Sequence, residues 1–537
     1  MKTSIIAAAA MMAAASWAGM GGAQAQAPQK VLRIAMTAAD VPTTTGMPNN
    51  GYEGMRFLGY PVFESLVLWD LSSPDRLAGL RPGLAERWEQ DPSDPKKWVF
   101  HLRRGVSFHD GAPFDADAVI WNMDRFFREG APQAEAQGAA ITRGRVAGLA
   151  AYRKIDDFTV EIETARPISY FPYLSVYILF ASPKAWEDAG RDWAKVALAP
   201  AGTGPFRITR FVPRQSVELT RNDNYWDTAR RAKLDRIVLM PVPEATARLA
   251  ALRSGQVDWI EVPPPDGIPS LKQAGFQVVT NSYPHVWPWV FAAGKAGSPV
   301  TDVRVRQALN YCFDREGLVG LLNGTAEPAV GFYNKSNPLF GKPENAYTLD
   351  PKRGRALLAE AGYGPQKPLK LVVGISTSGS GQMLPLPMNE ALQESLREHC
   401  GVEVSFRTVE WNTLLGAQRA APDQPAWLGA DAVNISLVSS DPSQMARWFL
   451  GANAAPRGSN AGHWIDPAFD EAFRRIETTS DPAESQAAIR AAHERLVDGA
   501  PWLYVVHDLN PRAMSSRVTG FVSAQSWFQD LTRVDMK

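Results

Sequence analysis

Apolar positions along this chain follow two rhythms. Period-two alternation, or a short apolar run bounded by turn residues, marks strands, whereas recurrence at i, i+3, i+4 and i+7 marks helices. Residues 31–36 form the first predicted strand, and 39–52 is polar, turn-rich and too irregular for either period. Residues 55–70 read as helical and then extended. Short strands are predicted at 98–102 and 106–108, broken by Arg104-Gly105 and followed by the turn His109-Asp110-Gly111. Asp115 then stands at an N-cap position, ahead of a helix with Val119, Met123 and Phe126 on one face. A loop with helical pieces is expected over 129–150, and 159–164 alternates as a strand. The aromatic stripe Tyr170, Phe171, Tyr173 and Tyr177 reads as core.

Beyond residue 206 the alternation of strand and helix strengthens. Strands at 206–212, 217–221, 236–240 and 257–260, with a helix over 244–253 ended at Gly255, suit a mainly parallel sheet. The dense aromatic run 283–291 changes the pattern, and Asp302 opens a helix with Asp314-Arg315-Glu316 near its middle. Helices at 351–361, 389–400 and 411–419 then interleave with strands at 369–375, 402–409 and 432–437, a second α/β unit. Helices at 469–476 and 484–497 precede a last strand at 502–506.

A chain of 537 residues exceeds one ordinary core and predicts two or three lobes. Basic and acidic residues balance at 56 each, which gives no case for nucleic acid or an acidic membrane surface. Seventeen Trp exceed what packing usually needs and point to a ligand pocket, although any single Trp is best read as core. At the N-terminus, Lys2, an Ala-rich apolar stretch over 5–18 and two Ala-Gln-Ala triplets form a secretory signal. Cleavage is expected after Ala25, because cleavage after Ala27 would leave Pro28 at the new terminus. No Cys adjoins that site, so the expectation is a soluble periplasmic protein and not a lipoprotein. The two cysteines, Cys312 and Cys400, both continue apolar helical faces and read as two separate core thiols in preference to a bridge.

Catalytic chemistry finds no foothold. The Gly-Lys pairs at 294–295 and 341–342 lack the rest of a phosphate loop, and His493-Glu494 lacks the second His of a zinc motif. Ser376 and Ser380, within 374–381, miss the spacing of a nucleophile elbow, so that loop reads as a flexible connector in preference to an anion-binding turn. No enzyme activity, cofactor or metal site is expected. An exported hydrolase would need a nucleophile–base pair that cannot be assembled here, and a periplasmic chaperone is the remaining alternative class.

Residues 79–122, from Gly79-Leu80-Arg81-Pro82-Gly83-Leu84 through Trp98-Val99-Phe100 and Phe108-His109-Asp110-Gly111 to Trp121-Asn122, resemble the signature of the family 5 solute-binding proteins of ABC importers. Gly202-Thr203-Gly204-Pro205-Phe206, Arg221-Asn222-Asp223-Asn224-Tyr225-Trp226 and the helix opened by Asp302 extend that resemblance over nearly the whole mature chain. It implies an α/β clamshell of two main lobes with an inserted subdomain and mixed or parallel sheets. The implied division is a signal at 1–25, lobe I at 26–66 and 196–284, an insertion at 67–195, lobe II at 285–504 and a return to lobe I at 505–537. Crossing segments are implied near 195–200, 285 and 500. The implied role is a monomeric periplasmic protein that captures a small organic solute and hands it to an inner-membrane ABC permease. A peptide is the family default, and a sugar, opine, amine or metal chelate is the alternative.

Peptide-binding relatives commonly hold the peptide amine with an Asp just before an acidic-Pro pair. Aligning on Asp441-Pro442 puts Val438 at that position, which counts against a free-amine peptide, since a buried ammonium needs a carboxylate. Asp441 is left with two roles, ligand contact in a shifted register or helix cap. The expected ligand contacts at the lobe junction are Tyr283, Trp287, Trp289, Trp411, Trp427, Ser439, Ser440 and Asp441, with Asn50 and Tyr52 opposite. Whether the loop 39–52 borders the cleft or is plain surface stays open at this point.

Overall fold

The computed structural model describes residues 29–479 and 481–537, so the expected secretory signal lies outside the described residues. Two seven-stranded sheets and one four-stranded sheet carry the architecture. The first runs in the order Gln277–Val279, Arg512–Met514, Trp259–Glu261, Val31–Met36, Arg236–Pro241, Ser216–Arg221 and Phe206–Val212. Only Val31–Met36 and its two neighbours are parallel. The sheet is therefore mixed where a mainly parallel one was expected. Phe206–Val212 and Ser216–Arg221 form a hairpin, and the strand Arg512–Met514 enters antiparallel from the far end of the chain.

The second large sheet has His285–Phe291 and Trp502–Asp508 side by side at its centre. All seven residues of each strand are buried, so both faces are covered, and the runs are apolar except for His285, His507 and Asp508 at their ends near the crossings. Ala432–Asn434, Lys370–Ile375 and Glu403–Thr408 extend the sheet on one side, the last two pairs being parallel. The four-stranded sheet, built from Ala85–Gln90, Lys97–Leu102, Thr159–Thr164 and Leu149–Asp156, is wholly antiparallel. The helix Ala116–Phe127 packs on it with Val119, Met123 and Phe126 buried, and the Asp115 carboxylate accepts the Ala118 N–H at 2.9 Å as its cap.

The chain passes from the first sheet to the second between Val279 and His285, and returns between Asp508 and Arg512. Residues 195–200, expected as a further crossing, instead lead from the helix Trp193–Val196 back to Phe206–Val212 of the first sheet. At the two crossings a polar cluster is fully buried. Glu261 accepts hydrogen bonds from the Trp259 indole at 2.8 Å and from Arg512 at 3.0 Å, and pairs with Arg56. Nearby Asp508 accepts the Asn510 N–H at 2.7 Å and lies 3.4 Å from the Tyr283 hydroxyl. Burial pushes the Asp508 carboxyl up to about 7, against the opposing pull of Asn510, Arg512 and Arg56.

Two expectations for the second lobe are corrected. Asp314 does not lie within a helix but caps a new one, Arg315–Leu321, after Val303–Tyr311 has ended; its carboxylate accepts the Gly317 N–H at 2.9 Å. Cys312 and Cys400 are joined in a disulfide, with Cα atoms 5.9 Å apart and a sequence separation of 88. The reason lies on a third helix, Pro351–Glu360. A Cβ at Gly354 would overlap the Cys312 sulfur and come within 3.1 Å of that of Cys400, so the glycine lets the helices close on the bridge.

Replacing both cysteines by Ala is expected to destabilise the protein by roughly 2–4 kcal/mol, read as a lower melting temperature. Reduced wild type should melt with the variant. A second outcome concerns pH. The folded carboxyl of Asp508 holds its proton to about pH 7, whereas an unfolded Asp releases it near pH 4. Its stabilising contribution is thus full below about pH 4 and lost as pH rises through about 7. Asp508→Asn should therefore flatten the fall in melting temperature between pH 5 and 8, and a variant with the full wild-type slope would contradict the buried, protonated carboxyl.

Candidate binding cleft

The loop after the strand Val31–Met36 is folded on itself. Thr43 and Asn49 exchange two hydrogen bonds, Thr43 N–H to the Asn49 side chain at 2.9 Å and Asn49 N–H to the Thr43 hydroxyl at 3.0 Å. Asn50 follows in the left-handed region at φ 58°, a conformation that Asn tolerates, and this turns Asn50 and Tyr52 inward. Tyr52 packs 4.8 Å from the Trp527 ring, and its hydroxyl meets that of Tyr177 at 3.3 Å.

The facing wall comes from the second sheet. Trp411 opens the helix Trp411–Leu415 just beyond the strand Glu403–Thr408, with Glu410 as its cap. This is the carboxyl edge of the parallel strands, where open α/β sheets commonly present ligand sites. The indole presses on Gly379, where a Cβ would overlap it. Around that glycine the loop 374–381 is pinned, not flexible: Ser380 Oγ accepts the Glu53 N–H at 2.9 Å, and its carbonyl accepts the Ser436 hydroxyl at 2.9 Å.

Between these walls lies a cavity of about 770 Å³, counted together with its opening to solvent. Asn50 and Tyr52 line it from one side and Trp411, Ser436 and Leu437 from the other, with Trp527 of the C-terminal return between them. A hydrogen bond of 3.1 Å from Asn412 to Asn50 spans it. On the rim, Arg166 donates three hydrogen bonds of 2.9–3.1 Å to the Glu477 carboxylate, and the Tyr170 hydroxyl adds another at 3.0 Å. Those contacts tie the chain beyond Thr159–Thr164 to the helix Pro467–Thr478 of the other side, so the clamshell is closed. A second, mainly apolar cavity of about 380 Å³ runs into the second lobe, sharing Gln418, Leu437 and Trp448 with the first.

Three arginines line the larger cavity: Arg145, Arg419 and Arg447. No Asp or Glu lines it among the described residues, and none forms an ion pair with these three. Arg145 is 6% exposed, lies over the rings of Tyr52 and Tyr177 at 5.0 and 5.4 Å, and leaves Nη1 without a hydrogen-bond partner. Nε and Nη1 of Arg447 are likewise buried and unpartnered, and its guanidinium stacks 4.1 Å over Trp448. Burial, then the neighbouring Arg145 and Arg419, lower its pKa to about 10 against the opposing influence of Tyr52. Arg419 is exposed, and partial desolvation beside the cavity, then Arg145, lowers its pKa.

The residues predicted from sequence divide. Asn50, Tyr52 and Trp411 meet at the cavity, which answers the question left by the loop 39–52. Trp287, Trp289 and Trp427 are wholly buried in the second lobe, their indole N–H groups bonded to Gln382 O, Asn389 Oδ1 and Ala420 O. The two strand tryptophans sit at a sheet centre covered on both faces, so their aromatic run serves the core. Tyr283 stacks on His285 beside the crossing cluster. The Ser439 N–H donates to Pro284 O, and the Ser440 hydroxyl donates to the Asp441 carboxylate. Asp441 caps the helix Pro442–Phe449 by accepting the Ser443 N–H at 2.9 Å. Missing from the sequence reading were the three arginines, Gln418 and Trp527, whereas Ser380 stood in the loop read as a connector in preference to an anion-binding turn. Arg447 alone left a trace, as a charge inside a helix whose neighbours Met445, Ala446, Trp448 and Phe449 are all apolar.

Comparison with known proteins fits this geometry. The di/tripeptide-binding protein 2 of Pseudomonas aeruginosa is 25% identical over 95% of this chain and 96% of its own. The solved dipeptide-binding protein of Pseudoalteromonas sp. SM9913, in complex with Met-Leu, superposes with a TM-score of 0.80 at 21% identity, covering 95% of this chain and all of that one. The binding protein AgaA of A. tumefaciens R10, in complex with agropinic acid, gives a TM-score of 0.77 at 20% identity, over 94% and 99% of the two chains. The family described as bacterial extracellular solute-binding proteins, family 5, middle part, matches residues 79–456. With that match spanning well over half its length, the chain belongs to family 5 of the bacterial extracellular solute-binding proteins.

Proposed function

We infer that this protein works in the periplasm as the solute-capturing component of an ABC importer. It would bind one small organic molecule between its lobes and present the closed complex to an inner-membrane permease. The observation that carries this reading is the cavity of about 770 Å³ walled by both lobes and spanned by the Asn412–Asn50 hydrogen bond. A site built from two bodies couples occupancy to closure, because the closed form alone completes its contacts. Asn50, Tyr52 and Trp411 are the contacts proposed from the original candidates. Relatives named as binders of di- and tripeptides, and of dipeptides, support a peptide-like solute. A neighbour solved with agropinic acid supports a non-peptide one. The functional division assigns 26–66, 196–284 and 505–537 to lobe I, 67–195 to its insertion and 285–504 to lobe II, with a secreted monomer released by signal cleavage after Ala25.

Native mass spectrometry of mature protein, purified gently from its own periplasm, is expected to show a one-to-one complex with a small molecule. The same compound, added back at a hundred times its Kd, should stabilise the protein by about 2.7 kcal/mol. An empty protein whose melting temperature no candidate solute raises would contradict the capture role. The rim gives a separate expectation. Glu477→Gln, which weakens the bond from Arg166, should lower solute affinity by about tenfold through loss of closure. Calorimetric titration against wild type measures this, and unchanged affinity would show that the rim contact does not contribute to closure.

A further inference from the structure

Arg145, Arg419 and Arg447 come from three separate stretches of chain, yet converge on one cavity. Among the described residues none of the three guanidinium groups donates a side-chain hydrogen bond or pairs with a carboxylate. Elsewhere in the molecule buried arginines are answered. Arg315 donates to four oxygens, Arg306 to backbone carbonyls of two segments, and Arg56 and Arg512 to Glu261. The cleft arginines are the departure from that habit.

Arg145 and Arg447 are withdrawn from water without a counter-charge, which is penalised, and the exposed Arg419 beside them adds a third like charge that repels both. Carboxylates close by are committed elsewhere. Asp441 is turned into its own helix cap, and Glu410 accepts the Thr413 N–H and the Asn412 amide. An ammonium entering the cavity would therefore find three like charges and no carboxylate on the wall. Val438, at the position where an amine-binding Asp would stand, is 2% exposed and paired with His285 in the second sheet.

We propose that the solute carries at least two negative charges, two carboxylates or a phosphate monoester, clamped by Arg145, Arg419 and Arg447. Its apolar part would lie against Trp411 and Trp527. This rests on the solute-capture reading above. Guanidinium suits the task, because its planar fork donates two parallel charge-assisted hydrogen bonds to a carboxylate or phosphate. The unpartnered Trp411 indole N–H adds a donor at the same wall.

The test is calorimetric titration and thermal shift on the ligand-free mature protein. The probes are propane-1,2,3-tricarboxylate, benzene-1,4-dicarboxylate and glucose 6-phosphate, set against dialanine, glucose and a diamine. At least one of the three anions is expected to bind one-to-one, with affinity that falls as sodium chloride is added. Arg145→Gln and Arg447→Gln should each weaken that anion roughly 10- to 100-fold. The empty variants should melt no lower than wild type, since each loses an unpaired buried charge. Variants that melt lower yet bind with unchanged affinity would make these arginines structural and overturn the proposal. Binding of dialanine, glucose or the diamine without any anion would overturn the anionic class while leaving solute capture standing. If neither set binds and native mass spectrometry finds the protein empty, both readings fail.

Discussion

Glu261 is the point on which the two-lobed arrangement depends. Its carboxylate is buried at the end of the strand Trp259–Glu261 and is held by Arg56, from the N-terminal segment, and Arg512, from the returning C-terminal strand. Three regions separated by some two hundred residues or more are thus fixed to one another. Burial alone would raise the Glu261 pKa, but Arg512 and Arg56 outweigh it and hold the carboxyl below its ordinary range. Removing one partner from such a buried cluster typically costs about 3–5 kcal/mol, because the remaining charge is stranded. The cluster also reaches the cleft, since Arg56 Nε donates to Trp527 O at 2.8 Å, and the Trp527 indole donates to Pro284 O at 3.0 Å in the crossing itself. The same contacts that set the hinge therefore place one aromatic wall of the cavity.

Two short extended crossings, anchored this way, leave little freedom except rotation of one lobe against the other. Of the contacts that distinguish the closed form, the Glu53–Ser380 bond lies beside the hinge cluster, while the Asn412–Asn50 bond and the Arg166–Glu477 rim lie farther out. None of these is a large apolar surface. The Tyr170–Phe473 ring contact at 5.8 Å adds aromatic packing on the rim, so closure rests on polar pairs and limited apolar contact, a setting in which a bound solute can decide the balance.

Much of this fold was legible in the sequence because period and punctuation are local properties. The strand at 31–36, the hairpin near 206–221 and the capped helix after Asp115 follow from alternation, turn residues and a cap. The aromatic run at 283–291 was visible too, but its role was not. Whether a buried Trp serves a pocket or a sheet centre depends on what covers its second face, and no spacing records that. The disulfide was hidden for a similar reason: Cys312 and Cys400 look like core thiols until Gly354 is seen lying against both. Of the site, Asn50, Tyr52 and Trp411 could be reached from their places beside predicted strands. Arg145 and Arg419 could not, since an arginine in a polar stretch looks like solvated surface until the other lobe is placed against it.

That difference bears on how specificity arises in a shared clamshell. The hinge cluster settles its charges internally: Arg56 and Arg512 meet Glu261, and the neighbouring Asp508 carboxyl is held near neutrality by burial. The cleft does not, because Arg145, Arg419 and Arg447 meet no carboxylate there. In the open form water can screen these guanidinium groups. Closing empty removes that water and strengthens their mutual repulsion, so the empty closed state is opposed most where the ligand belongs. A solute that brings its own negative charge reverses the sign of this term, whereas a neutral solute of the same shape leaves it in place. On this argument discrimination comes chiefly from the electrostatic cost of closing without the right charge, and the aromatic walls then select among solutes that meet it.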